Sequence, residues 1–108
     1  MKMFFTILGL FISTLCFSQI QVIQFNANWN NANSVTWLNK LSDCKTGEVD
    51  IVTDKAAQAK YKIIVVPTII VFNQGEEVKR YQANIMMQID AKLEDVQTVI
   101  DETVMESF

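Results

Sequence analysis

Hydrophobic positions fall along this chain in three patterns, and each predicts a different kind of element. Residues 21–25 (QVIQF) place Val22, Ile23 and Phe25 in a short strand-like run. A stretch crowded with asparagine follows: Asn26, Asn28, Asn30, Asn31 and Asn33. Asparagine side chains compete for nearby backbone groups, so they disfavour helix and strand interiors and suit caps and turns. The cluster predicts a strand-to-helix turn. Beyond it Val35, Leu38 and Leu41, flanked by Trp37, sit at helical spacing over about residues 32–41. Residues 42–47 break that pattern.

Residues 48–53 (EVDIVT) alternate, with Val49, Ile51 and Thr53 on one face, and predict a second strand. Asp54 offers an N-cap for a short alanine-rich helix over residues 55–61. Residues 63–66 lead into Pro67, and residues 68–72 (TIIVF) are β-branched enough for a buried strand. Asn73-Gln74-Gly75-Glu76 predicts a hairpin turn in which Gly75 takes positive φ. Residues 77–82 (EVKRYQ) form the partner strand, with either Val78 or its neighbours turned inward. Ile89, Leu93, Val96, Ile100 and Val104 recur at steps of 4, 3, 4 and 4, an amphipathic helix whose other face carries acids. The order is β-α-β-α-β-β-α. A strand–helix–strand unit implies a right-handed parallel crossover and the last two strands an antiparallel hairpin. The expected fold is α/β: a mixed four-stranded sheet with helices on both faces.

The N-terminus follows the third pattern. Lys2 precedes an apolar run over residues 3–17 (MFFTILGLFISTLCF), with small residues at Cys16 and Ser18. A basic residue, an apolar stretch and small residues at −3 and −1 describe a signal peptide over residues 1–18, cleaved before Gln19. The run is 15 residues long, short for a membrane anchor, which needs ~20. Bulky Leu15 before Cys16 argues against lipid attachment there. Export to the periplasm or the outside is expected, with no stable membrane insertion after cleavage and a single domain over residues 19–108.

The exported chain holds 12 acidic side chains and, without Lys2, 8 basic ones. Asp90, Glu94, Asp95, Asp101, Glu102 and Glu106 crowd its end, opposed by Lys92. This balance disfavours nucleic acid as a partner. The sequence has no histidine and no cysteine–carboxylate cluster at ligand spacing, so neither a metal site nor a cofactor is expected. Of two cysteines, Cys16 lies in the signal segment and Cys44 stands alone, which leaves no internal disulfide.

Two stretches carry a family resemblance. VIQFNANWNNAN is similar to the strand and active-site turn of thioredoxins, commonly V-D-F-W-A-x-W-C-G-P-C. KYKIIVVPTIIVFNQGEEVKRYQAN resembles the thioredoxin stretch K-Y-x-I-x-x-x-P-T-x-x-x-F-x-x-G-x-x-V, most specifically at Lys60-Tyr61, Pro67-Thr68, Phe72 and Gly75. The resemblance implies a thioredoxin-like fold, a cis peptide bond at Val66-Pro67, and a backbone edge there able to pair with an extended peptide. It also places Asn30 and Asn33 at the positions of the family's two cysteines, with Asn31 and Ala32 between them. Gln24 stands for the family's buried aspartate, Asn26 for a tryptophan, Leu38 for the proline that kinks the first helix, and Ala83 for a glycine beside the site. Trp29 is retained.

An amide cannot attack a disulfide, so no catalytic residue is expected among these positions. Asn30 or Asn31 reads as an N-cap for the following helix. The first functional reading is a non-catalytic module in the cell envelope that binds an extended peptide or protein through Trp29, Asn30, Asn31, Val66, Pro67 and Ala83. The second is a monothiol oxidoreductase working through Cys44, which requires that thiol near the Pro67 edge, with Lys45 as the neighbour able to lower its pKa. The third is a structural subunit, including a Cys44-linked dimer. Met86-Met87 reads either as a soft contact patch or as core filler.

Overall fold

The computed structural model describes residues 19–106; the expected signal segment lies outside them. Four strands are present: β1 (Ile20–Asn26), β2 (Lys45–Asp50), β3 (Thr68–Asn73) and β4 (Glu76–Gln82). They form one sheet in the order β2-β1-β3-β4. β1 and β2 are parallel, while β1–β3 and β3–β4 are antiparallel. The helices are α1 (Lys55–Lys60) and α2 (Leu93–Glu106). None among the described residues is long and apolar enough to cross a membrane.

The alternation of β1 and β3 divides the core between the two faces of the sheet. On one face Ile20, Val22, Ile69 and Val71 pack with Leu38 and Leu41 of the crossover and with Val96 and Ile100 of α2. On the other, Phe25, Ile70 and Phe72 pack with Ala57 of α1 and with Ile51, Ile63 and Val66. The expected mixed sheet, covered on both faces, is the observed one.

The first crossover departs from expectation. Residues 32–41 form no α-helix; two 3₁₀ segments, Asn28–Asn33 and Leu38–Lys40, flank an extended turn at Ser34. The cause is local competition for backbone groups. The Ser34 N–H donates to Asn31 O, and the Val35 N–H is taken by Gln24 Oε1 from the sheet at 2.9 Å. An i→i−4 ladder therefore cannot start there. Leu38 and Leu41 reach the core nevertheless.

β2 lies three residues earlier than its alternation suggested, at Lys45–Asp50 rather than residues 48–53. Asp50 folds the chain after it into a turn: its Oδ1 accepts from the Val52 N–H and its carbonyl from Thr53 Oγ. Ile51 is buried, but Thr53 is exposed. The start of β2, Lys-Thr-Gly, has no apolar signal because its backbone pairs with Gln21–Ile23 while its side chains stay near solvent.

α1 begins as expected, with Asp54 Oδ1 accepting from the Ala57 N–H at 3.1 Å. Its C-terminus is held by Arg80, which donates to the carbonyls of Tyr61 and Lys62 and pairs with Glu77 at 2.8 Å. Within β4 the register skips between Val71–Lys79 and Phe72–Glu77, leaving Val78 unpaired. Val78 is 44% exposed rather than inward. α2 starts at Leu93, so Ile89 lies before it, packed against the core from an irregular segment. Asn84 folds that segment: its Oδ1 accepts from the N–H groups of Met86 and Gln88, and its Nδ2 donates to Asp90.

Candidate functional site

At the C-terminal end of β1, Asn26 is buried and uses its whole amide. Its Nδ2 donates to Asn30 O at 3.1 Å and to Ser34 Oγ at 2.8 Å. Its Oδ1 accepts from the Ala27 N–H at 2.9 Å and from Asn30 Nδ2 at 3.2 Å. One side chain thus replaces the backbone pairing that the missing helix would have supplied.

Asn30, also buried, carries the network to the other loops. Besides Asn26, its Nδ2 makes longer contacts to Val66 O at 3.4 Å and Met87 O at 3.5 Å. Its Oδ1 accepts from Asn33 Nδ2 at 2.8 Å, and Asn33 Oδ1 in turn receives a 3.5 Å contact from Gln88 Nε2. Three segments meet here: the asparagine turn, the loop before Pro67 and the loop after β4. The expected N-capping role does not hold. Ala27 occupies the N-cap of the 3₁₀ segment without a side-chain bond, while Asn30 lies inside that segment and faces inward. Asn31 stays exposed and accepts from Ser34 through its carbonyl.

The Val66–Pro67 peptide bond is cis. Both side chains are buried, so only backbone at this point faces outward. Ala83, half-buried, extends the β3–β4 ladder by donating its N–H to Pro67 O at 3.1 Å. The Val66 carbonyl already receives Asn30 and the Val65 carbonyl receives Thr68 Oγ1 at 2.6 Å, which narrows the docking edge the resemblance implied to the Ile64 carbonyl and the N–H groups of residues 64–66.

The segments around this polar centre also expose apolar side chains. Trp29 is 67% exposed, Ile64 81% and Ile85 99%, and Val65, Met86 and Met87 are also open to solvent. All six belong to the three segments that meet at Asn30. Met86 and Met87 are therefore surface groups and not core filler. Trp29, Asn30, Val66, Pro67 and Ala83 are brought together; Asn31 lies on the outer side of the same turn, lining a polar cleft with Asn26, Ser34 and Asp50.

Gln24 sits under that cleft, fully buried. Its Oε1 accepts from the Val35 N–H and its Nε2 donates to Glu48 Oε1 at 3.3 Å. A neutral amide here holds the crossover to the sheet and offers no proton to move at neutral pH.

Cys44 stands apart. It precedes β2, whose first residue pairs with Gln21, whereas Asn26 ends β1 five residues further on. At ~3.3 Å per strand residue this separates them by roughly 17 Å along the sheet. Cys44 packs half-buried against the α2-side core, and burial, followed by Asp43, pushes its thiol pKa up. The expected help from Lys45 does not prevail. Cys44 thus lies away from the Pro67 edge, where the monothiol reading requires it. A raised pKa leaves less thiolate at pH 7, so Cys44 should label with a disulfide reagent several-fold more slowly than a free cysteine. Labelling in urea should restore the ordinary rate.

The asparagine network and its apolar rim escaped the sequence reading in part. Asn26 stands out in the sequence as a member of the asparagine cluster and as a departure from a family pattern, and neither signals its buried role. The contribution of Ile64, Ile85 and Met87 depends on loop folding that no periodicity reports.

Among solved structures the chain is similar to thioredoxins. A mutant thioredoxin from Halobacterium salinarum matches at TM-score 0.61 and 19% identity, over 81% of this chain and 76% of that one. Fasciola hepatica thioredoxin matches at TM-score 0.58 and 23% identity, over 88% and 89%. Schistosoma mansoni thioredoxin matches at 0.59 and 23%, over 87% of each. No protein-family model matches the sequence, and no curated protein does. The fold is thioredoxin-like.

Proposed function

We propose that this chain is a non-catalytic thioredoxin-fold module, exported from the cytoplasm, that holds an extended apolar peptide segment of a partner protein. One observation carries the reading: six exposed apolar side chains rim a centre built from asparagine amides. Isolated exposed hydrophobics are ordinary, but six on three loops that converge at Asn30 suit an interaction surface. Trp29 would serve as its anchor, since a large aromatic side chain gives much contact area for few frozen torsions. The backbone of residues 64–66 supplies main-chain hydrogen bonds, and the methionines adapt to different side chains. Asn30 and Asn33, bonded to each other, hold the loops in place where a dithiol would exchange disulfides. Residues 1–18 support export by their basic, apolar and small-residue pattern.

A fluorescein-labelled decapeptide of alternating leucine and serine, titrated with the protein, tests this. Wild type should bind it, and Trp29→Ala should weaken binding about tenfold. Equal binding by both proteins, or none by wild type, would refute the docking role.

A further inference from the structure

We propose that the open edge of β2 accepts a second kind of ligand: an extended basic peptide segment that adds to the sheet as a further strand. Its lysine or arginine side chains would lie against Glu48 and Asp50. This site borders the outer side of the asparagine turn, away from the exposed apolar side chains, and stands whether or not those bind a peptide.

The two outer strands of the sheet are β2 and β4. β4 is interrupted by the register skip at Val78, and a bulge of this kind blunts an edge against further pairing. β2 is not interrupted: six consecutive residues pair with β1 in one register, and among the described residues no strand pairs with its other side.

Gly47 lies in the middle of this edge. Glycine weakens a strand interior, because it adds backbone entropy and no packing side chain. Inside the domain nothing calls for it. Its φ is not positive, and a Cβ built there would meet no atom within 4 Å. A glycine in a strand can mark a site where another backbone approaches closely, and no described residue makes that approach at Gly47.

The short crossover adds the charge preference. Without an α-helix it leaves two clefts beside β2, one of about 280 Å³ reaching Asn28, Asn31 and Asp50, the other of about 480 Å³ reaching Thr36, Asn39 and Gly47. Glu48 lines both, and neither is lined by a lysine or arginine. Among the described residues no ion pair reaches Glu48 or Asp50, since the salt bridge present is Arg80–Glu77. The register with β1 sets Thr46, Glu48 and Asp50 on the face of Val22, Gln24 and Asn26, and Lys45 on the opposite face. Alternate side chains of an added strand stand beside those carboxylates, where opposite charges stabilise a cross-strand pair and like charges oppose it. A second copy of this chain, continuing the sheet across a two-fold axis, would bring its own Glu48 and Asp50 to the same face. The net charge of −3 steers a basic segment in the same direction.

The test follows amide exchange of the whole domain with a twelve-residue peptide of alternating valine and lysine, and with its valine–glutamate counterpart. With the lysine peptide, alternate amides of Lys45–Asp50 should slow at least tenfold, with no comparable change at Trp29. The glutamate peptide should leave them unchanged. Glu48→Gln/Asp50→Asn, which keeps side-chain size and the Gln24 contact, should weaken lysine-peptide binding about tenfold while Trp29→Ala leaves it intact. Unchanged β2 exchange, equal effects of the two peptides, or protection of β2 through dimers of the peptide-free protein would each overturn the proposal. Loss of leucine–serine peptide binding at the Asn30 loops would bear on the other site alone.

Discussion

Asn26→Ala is expected to destabilise the domain by about 2–3 kcal/mol, the cost of leaving buried polar groups without partners. The substitution removes four hydrogen bonds at once, taking a partner from the Asn30 carbonyl and amide, the Ala27 N–H and Ser34 Oγ. Urea unfolding followed by circular dichroism measures it. The loss should be cooperative with Asn30, because the two amides bond each other in addition to sharing the turn. A double-mutant cycle of Asn26→Ala and Asn30→Ala should show a coupling of about 1 kcal/mol. Additive losses would mean that each amide acts alone and that the turn has no shared network. Asn26→Asp should be no rescue, since it keeps the acceptor, loses both donated bonds and buries a charge.

Phe25→Ala should cost more, about 3–5 kcal/mol, as expected for emptying a fully buried aromatic position. The Phe25 ring packs against Tyr61 with centroids 5.2 Å apart, and Tyr61 packs edge-on to Phe72 at 5.4 Å. This row joins the sheet to the end of α1, from which the loop of residues 62–66 departs. Its loss should loosen that loop as well as lower overall stability, so amides of residues 62–66 should exchange faster even where the domain remains folded. Phe25→Leu, which keeps most of the volume, should cost under about 1.5 kcal/mol. A small domain with only a few kcal/mol of net stability has little room for the alanine variant.

The sheet was legible in the sequence because its central strands carry strong signals. TIIVF is buried at every position, and QVIQF pairs on both sides. α1 was legible through the Asp54 cap, and α2 through its stripe from Leu93 onward. The errors share a cause. At Ser34–Val35, at Asp50 and at Asn84, a polar side chain captures backbone groups and ends or prevents an element whose apolar spacing looks continuous. Periodicity reports which residues face the core, and Leu38, Ile51 and Ile89 do pack there; it does not report how the backbone between them is hydrogen-bonded. The start of β2 was missed for the converse reason, since an edge strand requires backbone pairing and little apolar content.

The positions proposed for binding could be named from a family resemblance, but their arrangement could not. That Asn30 reaches Val66 and Met87 depends on three loops separated by 36 and 57 residues in sequence. The separation of Cys44 from that centre follows from the parallel register of β1 and β2, which sets it at the far end of the sheet.

A thioredoxin-like fold proposed to serve docking and not thiol chemistry should not catalyse disulfide reduction. Reduction of a protein disulfide by the purified domain, with dithiothreitol as the electron source, tests it most directly. Wild type and Cys44→Ser should both run at the rate of the reductant alone; turnover by wild type well above Cys44→Ser would contradict the claim.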